Sequence, residues 1–320
     1  MKHGVYVATK NRENDVFDFL DSLILNSSDF ELILIDSTEP KMRFDAFQET
    51  LRDRYPRLIV KHIFHKGRLP SARNAGLNLN LQHDLIHFFD DDVTIPNDYF
   101  EKIENFLIVN PDVMGGGPRI KNLYLPNLIS EKNYIHEVIR KLKNFRLTIR
   151  KYGIVNSGCK HHWIPDRPQT SCQVDWIPGC SMFFRPEVFE KFRFNEFMEN
   201  GFNSYAFGED LEFTFRASRE FKFMAVDTTV IEHHLAPSPR SDLFFIASCS
   251  GATTAHLYSM FPKHFSRLRI YIQKVPEFLL KCAIQPKHRV KLFVGMCVRF
   301  DREFNREIRE QNWRISQNLK

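Results

Sequence analysis

The chain lacks any run of about twenty uncharged apolar residues, so no membrane-spanning helix is expected from it. Its first residues, MKHGVYVATKNRENDV, pass from a short strand into charged positions without the apolar core of a secretory leader. Six cysteines, at 159, 172, 180, 249, 282 and 297, contain no C-x-x-C pair. That spacing indicates neither a disulfide framework nor a common zinc knuckle, and reduced thiols in a cytoplasmic protein are the expectation. The four residues Cys159, His161, His162 and Cys172 match no standard metal-ligand spacing either. There is no internal repeat and no low-complexity tract to mark a linker or an array.

What is present is apolar and aromatic. With 320 residues, 43% of them hydrophobic and 31 of them Phe, the chain can bury a sizeable core as one large domain or two joined halves, and disorder is excluded. Charge is distributed unevenly. Residues 262–320 carry 14 Lys and Arg against 5 Asp and Glu, a net of +9, which leaves −3 on the other 261 residues of this +6 chain. A basic segment of that kind suits an anionic membrane surface or a polyanionic substrate, and the competing reading is a solvated helical face packed on the rest of the protein. Nucleic acid is not among the expected partners.

The stretch DLIHFFDDDVTIPNDYF, residues 84–100, organises the rest. Ile86, Phe88 and Phe89 read as the end of a buried strand that stops at Asp90, Asp91 and Asp92. A strand ending in carboxylates places hard oxygen ligands at the carboxyl edge of a sheet, where open α/β sheets bind ligands; they suit Mg²⁺ or Mn²⁺ and hence a diphosphate. An acidic turn is the plain alternative. Mutual repulsion of three adjacent carboxylates predicts a loop that is strained or mobile without a cation.

Buried strands at Gly4–Ala8 and Leu32–Ile35 flank a helix from Asp15 to Leu25, a βαβ unit. A second helix, near Met42–Arg54, leads to a strand at Leu58–Phe64, and Ser71 is expected to cap the helix carrying Arg73 and Asn74. The glycine run Gly115–Gly117 before Pro118 marks a break, and the chain divides into residues 1–115, 116–240 and a basic helical extension, 241–320. Residues 123–150 look helical and 159–173 irregular. Beyond them lie a strand at Ser181–Phe184, a helix opening at Pro186, a helix from Leu211, and two edge strands, Phe223–Val226 and Thr229–Ile231.

VATKNR, Asp36 after LILI, SARNAGL, FFDDDV, WIPGCSMFFR and FGEDLEFTFR occur here in that order. Together they resemble the family-2 glycosyltransferases of GT-A fold over roughly residues 3–235. The resemblance implies a Rossmann-like α/β fold: a mostly parallel central sheet flanked by helices, here with a helical C-terminal extension. It further implies an inverting, metal-dependent transfer of a sugar from a nucleotide-diphosphate-sugar donor to a glycan or lipid-linked acceptor, as in cell-surface polysaccharide synthesis. Position by position, Thr9 and Asp36 fall where such enzymes hold base and ribose, and Arg73 in the basic position near the diphosphate. Asp90 and Asp92 match the D-x-D signature, Asp90 toward the ribose or the metal and its water and Asp92 on the divalent ion, Mn²⁺ or Mg²⁺; Asp91, between them, falls within the donor-binding set without a separate assignment.

Glu209 and Asp210 fill the family's acidic pair, with Asp210 in the place of the general base. His233 stands where some members add a histidine to the metal, with His234 the alternative, since alternation along a strand lets only one point inward. Trp176, Gly179 and Cys180 match the loop that frames donor sugar and acceptor. A nucleotidyltransferase or pyrophosphorylase is the rival enzyme, disfavoured because VATKNREN has no glycine-rich phosphate loop; a polyanion-binding protein on a transferase fold is the rival non-enzyme. The expected location is cytoplasmic, with the basic segment available to the inner face of the membrane.

Overall fold

The computed structural model describes residues 1–121, 153–157, 159, 168–200, 208–234, 253–266 and 268–270. The expected helix at 123–150, most of the irregular stretch after it and nearly all of the basic extension lie outside these residues. Of the extension, residues 253–260 are helical. Among the described residues no helix is long and apolar enough to cross a membrane.

The first half alternates strand and helix: β1 (His3–Thr9), α1 (Glu13–Leu23), β2 (Phe30–Asp36), α2 (Lys41–Arg54), β3 (Val60–Phe64), α3 (Leu69–Leu77) and β4 (Leu85–Phe89). The apolar face of α1 comprises Val16, Phe19, Leu20 and Leu23, spaced to fall on one side of a helix, and all four are buried. β2 is buried over Glu31–Asp36 and β4 throughout, which is why both read as unbroken apolar runs. α3 begins at Leu69, two residues before the expected cap, and its N-cap position is Arg68. Ser71 is its third residue, and its hydroxyl accepts the Arg68 N–H at 3.1 Å.

The second half adds β5 (Val93–Thr94), α4 (Tyr99–Val109), β6 (Val113–Lys121), β7 (Cys172–Val174), β8 (Ser181–Phe184), α5 (Glu187–Lys191), α6 (Phe197–Asn200), α7 (Glu209–Ala217) and β9 (Lys222–His233). All strands join one nine-stranded sheet of order β3-β2-β1-β4-β8-β6-β9-β5, with β7 also paired to β9. β1, β2, β3 and β4 are mutually parallel, β8 runs antiparallel between β4 and β6, and β6 pairs parallel with β9.

This topology decides which residues meet. Thr9 lies opposite Asp36 and Val7 opposite Phe89, so the carboxyl ends of β1, β2 and β4 share one edge. Because β8 is antiparallel, with Ser181 opposite Phe89, its entry loop arrives at that same edge. β9 runs with β6, and its last residue, His233, pairs with Val93 just beyond the aspartates.

Two expectations are corrected here. Gly115–Gly117 are not a break but the middle of β6: a Cβ on Gly116 would sit 2.2 Å from the Met224 carbonyl oxygen, and one on Gly115 2.8 Å from that of Phe183. Glycine is required by close approach of neighbouring strands, not by a turn. The two edge strands are one strand, β9, paired on both sides. It bulges opposite Pro118 and Arg119, which hides its continuity in the sequence.

At the opposite end of the sheet, His3 Nδ1 lies 3.0 Å from His87 Nε2, and His3 Nε2 lies 2.7 Å from Glu104 Oε1. Burial lowers the pKa of His3 despite Glu104, and lowers His87, packed among Phe89, Tyr99 and Phe100, well below its ordinary value. The native state therefore stays neutral at both positions while the unfolded chain takes up protons below about pH 6.5, so stability falls with acidification through that point. Above pH 5, where Glu104 stays ionised, the midpoint of thermal unfolding should drop as pH falls from 7.5. His87→Leu should lessen the slope by up to about 1.4 kcal/mol per pH unit; an unchanged slope in the variant contradicts this account.

Candidate active site

The three aspartates after β4 divide at once. Asp91 turns inward, 2% exposed, while Asp90 remains half-buried at the cleft. Asp91 Oδ2 accepts the Thr9 hydroxyl at 2.7 Å, and its Oδ1 lies 2.6 Å from Arg12 Nη1. Burial raises the Asp91 pKa, while Arg12 and Thr9 pull the other way; both contacts are those of an ionised carboxylate. Arg12 Nη2 is 3.1 Å from Asp92 Oδ2 and its Nε 2.7 Å from Asp15. Burial works to lower the Arg12 pKa, but Asp91, Asp15 and Asp92 outweigh it and hold the pKa above its ordinary value. The repulsion expected within the triplet is thus relieved from inside the chain.

Asp92 Oδ1 faces His233 Nε2 at 3.2 Å. His234 points the other way: it is exposed, its Nε2 is 2.6 Å from Thr94 Oγ1, and its backbone N–H donates to the Asp92 carbonyl at 2.8 Å. Asp90, Asp92 and His233 offer three ligand atoms within 4.8 Å of one another. Two carboxylates and an imidazole form a hard, borderline donor set that fits Mn²⁺ or Mg²⁺.

Arg73, on α3, is 2% exposed and lies between this cluster and the acidic pair. Its Nη1 donates to Glu209 Oε1 at 3.1 Å and its Nη2 to the Gly179 carbonyl at 2.9 Å, and Nη2 is also 3.7 Å from Asp90 Oδ1. The guanidinium carbon sits 5.2 Å from the Phe194 ring centroid and 5.8 Å from that of Phe88. Asn74 anchors the same helix to the second half of the chain, donating to the Phe194 carbonyl at 2.9 Å and accepting the Phe194 N–H at 3.0 Å.

Glu209 and Asp210 open α7 after Gly208, whose φ of 79° is left-handed. Glu209 is buried against Arg73, whereas Asp210 is half-buried. Asp210 Oδ2 accepts the Gly179 N–H at 2.9 Å and the Trp176 indole N–H at 3.3 Å, and Oδ1 accepts the Leu211 N–H at 2.8 Å. Burial raises the pKa of both carboxyls, and for Glu209 the Asp210 charge adds to it. A Cβ on Gly179 would lie 3.2 Å from both Arg73 Nη2 and Asp210 Cβ and 3.3 Å from Glu209 Oε1, so this glycine lets three charged groups crowd one loop. Next in sequence, the Cys180 carbonyl accepts the Asp90 N–H at 3.1 Å. The Cys180 thiol is buried, and burial, then Asp90 and Asp210, push its pKa well up; it stays a neutral packing group.

Asp36 is fully buried, its Oδ1 accepting the Thr38 N–H at 2.7 Å and its Oδ2 3.1 Å from His62 Nε2. The structure thus gathers Thr9, Asp90, Asp91, Asp92 and His233 into one cluster, and Arg73, Trp176, Gly179, Cys180, Glu209 and Asp210 into a second that adjoins it. Asp36 lies one strand away. Arg12 had no assigned role in the sequence reading, although it belongs to the VATKNR motif; the available signal was a pair of cations, Lys10 and Arg12, in the turn beyond β1.

Fold and site together define a glycosyltransferase of GT-A architecture. The chain belongs to glycosyl transferase family 2, whose sequence model matches residues 4–164, half of its length. No curated protein sequence matches it. Among solved structures it is similar to the mannosyltransferase PcManGT from Pyrobaculum calidifontis in complex with GDP-Man and Mn²⁺, at 12% identity and a TM-score of 0.53 over 94% of this chain and 87% of that one. It is similar also to GalNAc-T7 with UDP, GalNAc and Mn²⁺, at 13% identity and a TM-score of 0.54, covering 82% of this chain and 51% of that one. At these identities the likeness is one of fold. The family match ends before Trp176, so the acidic pair and His233 are argued from the geometry above.

The central ion pair has a direct test. Arg73→Met removes the charge and strands Glu209, which should destabilise the fold by about 3–5 kcal/mol near pH 9, where the wild-type carboxyl is ionised. Burial and the Asp210 charge hold the Glu209 pKa up to about 8 even beside Arg73, so the stranded carboxyl takes up its proton at higher pH still; the gap to the wild type should narrow as pH falls from about 9 toward 7, and Glu209→Gln added to the variant should recover part of the loss. Denaturant unfolding at the two pH values measures this; a constant gap, or no recovery, contradicts the assignment.

Proposed function

We propose that the protein is an inverting, metal-dependent glycosyltransferase that moves a sugar from a nucleotide-diphosphate-sugar to a hydroxyl of a glycan or lipid-linked acceptor. The observation carrying this reading is that two consecutive residues tie two acidic centres together. Gly179 donates its N–H to Asp210, and Cys180 accepts the N–H of Asp90. Displacement with inversion needs a base and a leaving-group site on opposite sides of one sugar, at fixed separation. A rigid dipeptide between Asp210 and Asp90 supplies that fixed relation. The complexes of the two similar structures, with GDP-Man and Mn²⁺ and with UDP, GalNAc and Mn²⁺, are consistent with the donor class and the ion.

Asp90, Asp92 and His233 would hold the divalent ion, Mn²⁺ or Mg²⁺, which when bound supplies Lewis-acid neutralisation of the departing diphosphate. Thr9 and Asp36, at the carboxyl ends of β1 and β2, flank the place for base and ribose. Arg73 contributes positive charge beneath the diphosphate position while it holds Glu209 and the Gly179 carbonyl. Hydrogen bonds from Trp176 and Gly179 favour the charged form of Asp210 against burial and orient it, and Asp210 takes the proton of the acceptor hydroxyl as the new glycosidic bond forms. Its raised pKa suits that step, because a stronger base removes the proton more readily.

Two variants separate the roles. Asp210→Ala should lower transfer by about 10²–10⁴-fold while leaving Mn²⁺-dependent nucleotide binding intact. Asp92→Ala should abolish transfer and weaken that binding as well. Equal loss of nucleotide binding in both would overturn the division. Thermal stabilisation across a panel of nucleotide-sugars with Mn²⁺ identifies the donor, since a ligand selective for the native state raises its stability.

A further inference from the structure

Arg12 belongs to no step of the mechanism above, yet its guanidinium is the most heavily shared cation among the described ion pairs. Its three nitrogens meet three carboxylates: Nε on Asp15 at 2.7 Å, Nη1 on Asp91 at 2.6 Å and Nη2 on Asp92 at 3.1 Å. The turn that carries it is fixed from below. Asn11, with φ of 56°, donates its N–H to Thr38 Oγ1 at 2.8 Å, and Arg12 caps the start of α1, its carbonyl accepting the Val16 N–H at 3.1 Å. Both oxygens of Asp91 have protein partners, Thr9 and Arg12, so Asp91 serves as the anchor of the acidic loop. Asp92 is divided: Oδ2 faces Arg12 and Oδ1 faces His233.

We propose that Arg12 is a built-in counter-cation that lets the acidic loop stand without a metal ion, and that it thereby holds the loop's affinity for a divalent ion down until a donor diphosphate is present. The reasoning is electrostatic. A guanidinium on one oxygen of Asp92 repels a dication approaching the other oxygen, and it draws on the negative charge that attracts that ion. An incoming diphosphate brings compensating negative charge to the same edge, and with it the repulsion is offset. The arrangement couples metal binding to donor binding through a residue that lies outside the ion's own ligand set, and it sets the resting state of the loop as folded and metal-free.

The proposal rests on Asp90, Asp92 and His233 taking a divalent ion. The test is calorimetric titration with Mn²⁺ alone, without nucleotide, on the wild type, Arg12→Gln and Arg12→Lys, beside thermal unfolding of each. Arg12→Gln removes the charge and should bind Mn²⁺ about tenfold more tightly than the wild type, the size expected for one unit charge near a dication in a partly solvated site. It should also unfold at a lower temperature without Mn²⁺ and regain that stability with it. Arg12→Lys keeps the charge but spans only one aspartate, and should bind severalfold more tightly; it decides the question if the glutamine variant does not fold. Mn²⁺ affinity in these variants equal to or weaker than in the wild type overturns the proposal and leaves Arg12 a structural brace. If instead the wild type and Asp92→Ala show the same Mn²⁺ affinity, it is the assignment of the metal site that fails.

Discussion

A buried guanidinium between two sets of carboxylates is the constraint on which the site depends. Arg73 is almost completely enclosed, and its charge is compensated by Glu209, by the Gly179 carbonyl and, at longer range, by Asp90. Neither the acidic pair nor the arginine is tolerable alone in such a place, because an uncompensated buried charge is among the largest penalties a fold can carry. The pairing therefore fixes distance: α3, the loop before β8 and the start of α7 converge on one side chain. Phe194 and Phe88 shield it from water, which strengthens each of these contacts.

The sheet explains why these elements meet at all. Parallel β1, β2 and β4 bring their carboxyl ends to one edge, and a single antiparallel strand, β8, brings its entry loop to the same place from the opposite direction. Residues separated by more than 140 positions, such as Asp90 and His233, become neighbours because β9 runs beside β6 and then turns onto Val93. Two arginines take complementary parts at that edge. Arg12 balances Asp91 and Asp92 from the β1 side, and Arg73 balances Asp90 and Glu209 from below.

Much of this was legible in the sequence. Strands buried on both faces must be apolar throughout, so β1, β2 and β4 declare themselves, and polar residues at their ends mark the ligand edge. The resemblance to family 2, carried by short motifs in a fixed order, pointed to the fold, which the structure shows, and selected the site residues. What was not legible depended on partners distant in the chain. Arg12 meets the acidic loop through Asp91 and Asp92, some 80 residues away. The sequence favoured His233 with His234 as the alternative, and the pairing of β9 with β5 pointed the first inward and the second outward. Gly115–Gly117 read as a break between two parts of the chain because glycine serves breaks and close strand packing equally, and only the ring of Phe184 and the carbonyls of Phe183 and Met224 decide which. β9 looked like two strands because its bulge interrupts the apolar pattern.

The central claim is that one edge of this sheet holds a divalent ion between Asp90, Asp92 and His233, with Asp210 standing apart as the base. Anomalous diffraction at the manganese edge, from crystals grown with Mn²⁺ and a nucleoside diphosphate, locates that ion directly. The account predicts a single strong peak at coordinating distance, about 2.1 Å, from oxygens of Asp90 and Asp92 and a nitrogen of His233. A peak on Glu209 or Asp210 instead, with the three named residues unligated, would contradict it.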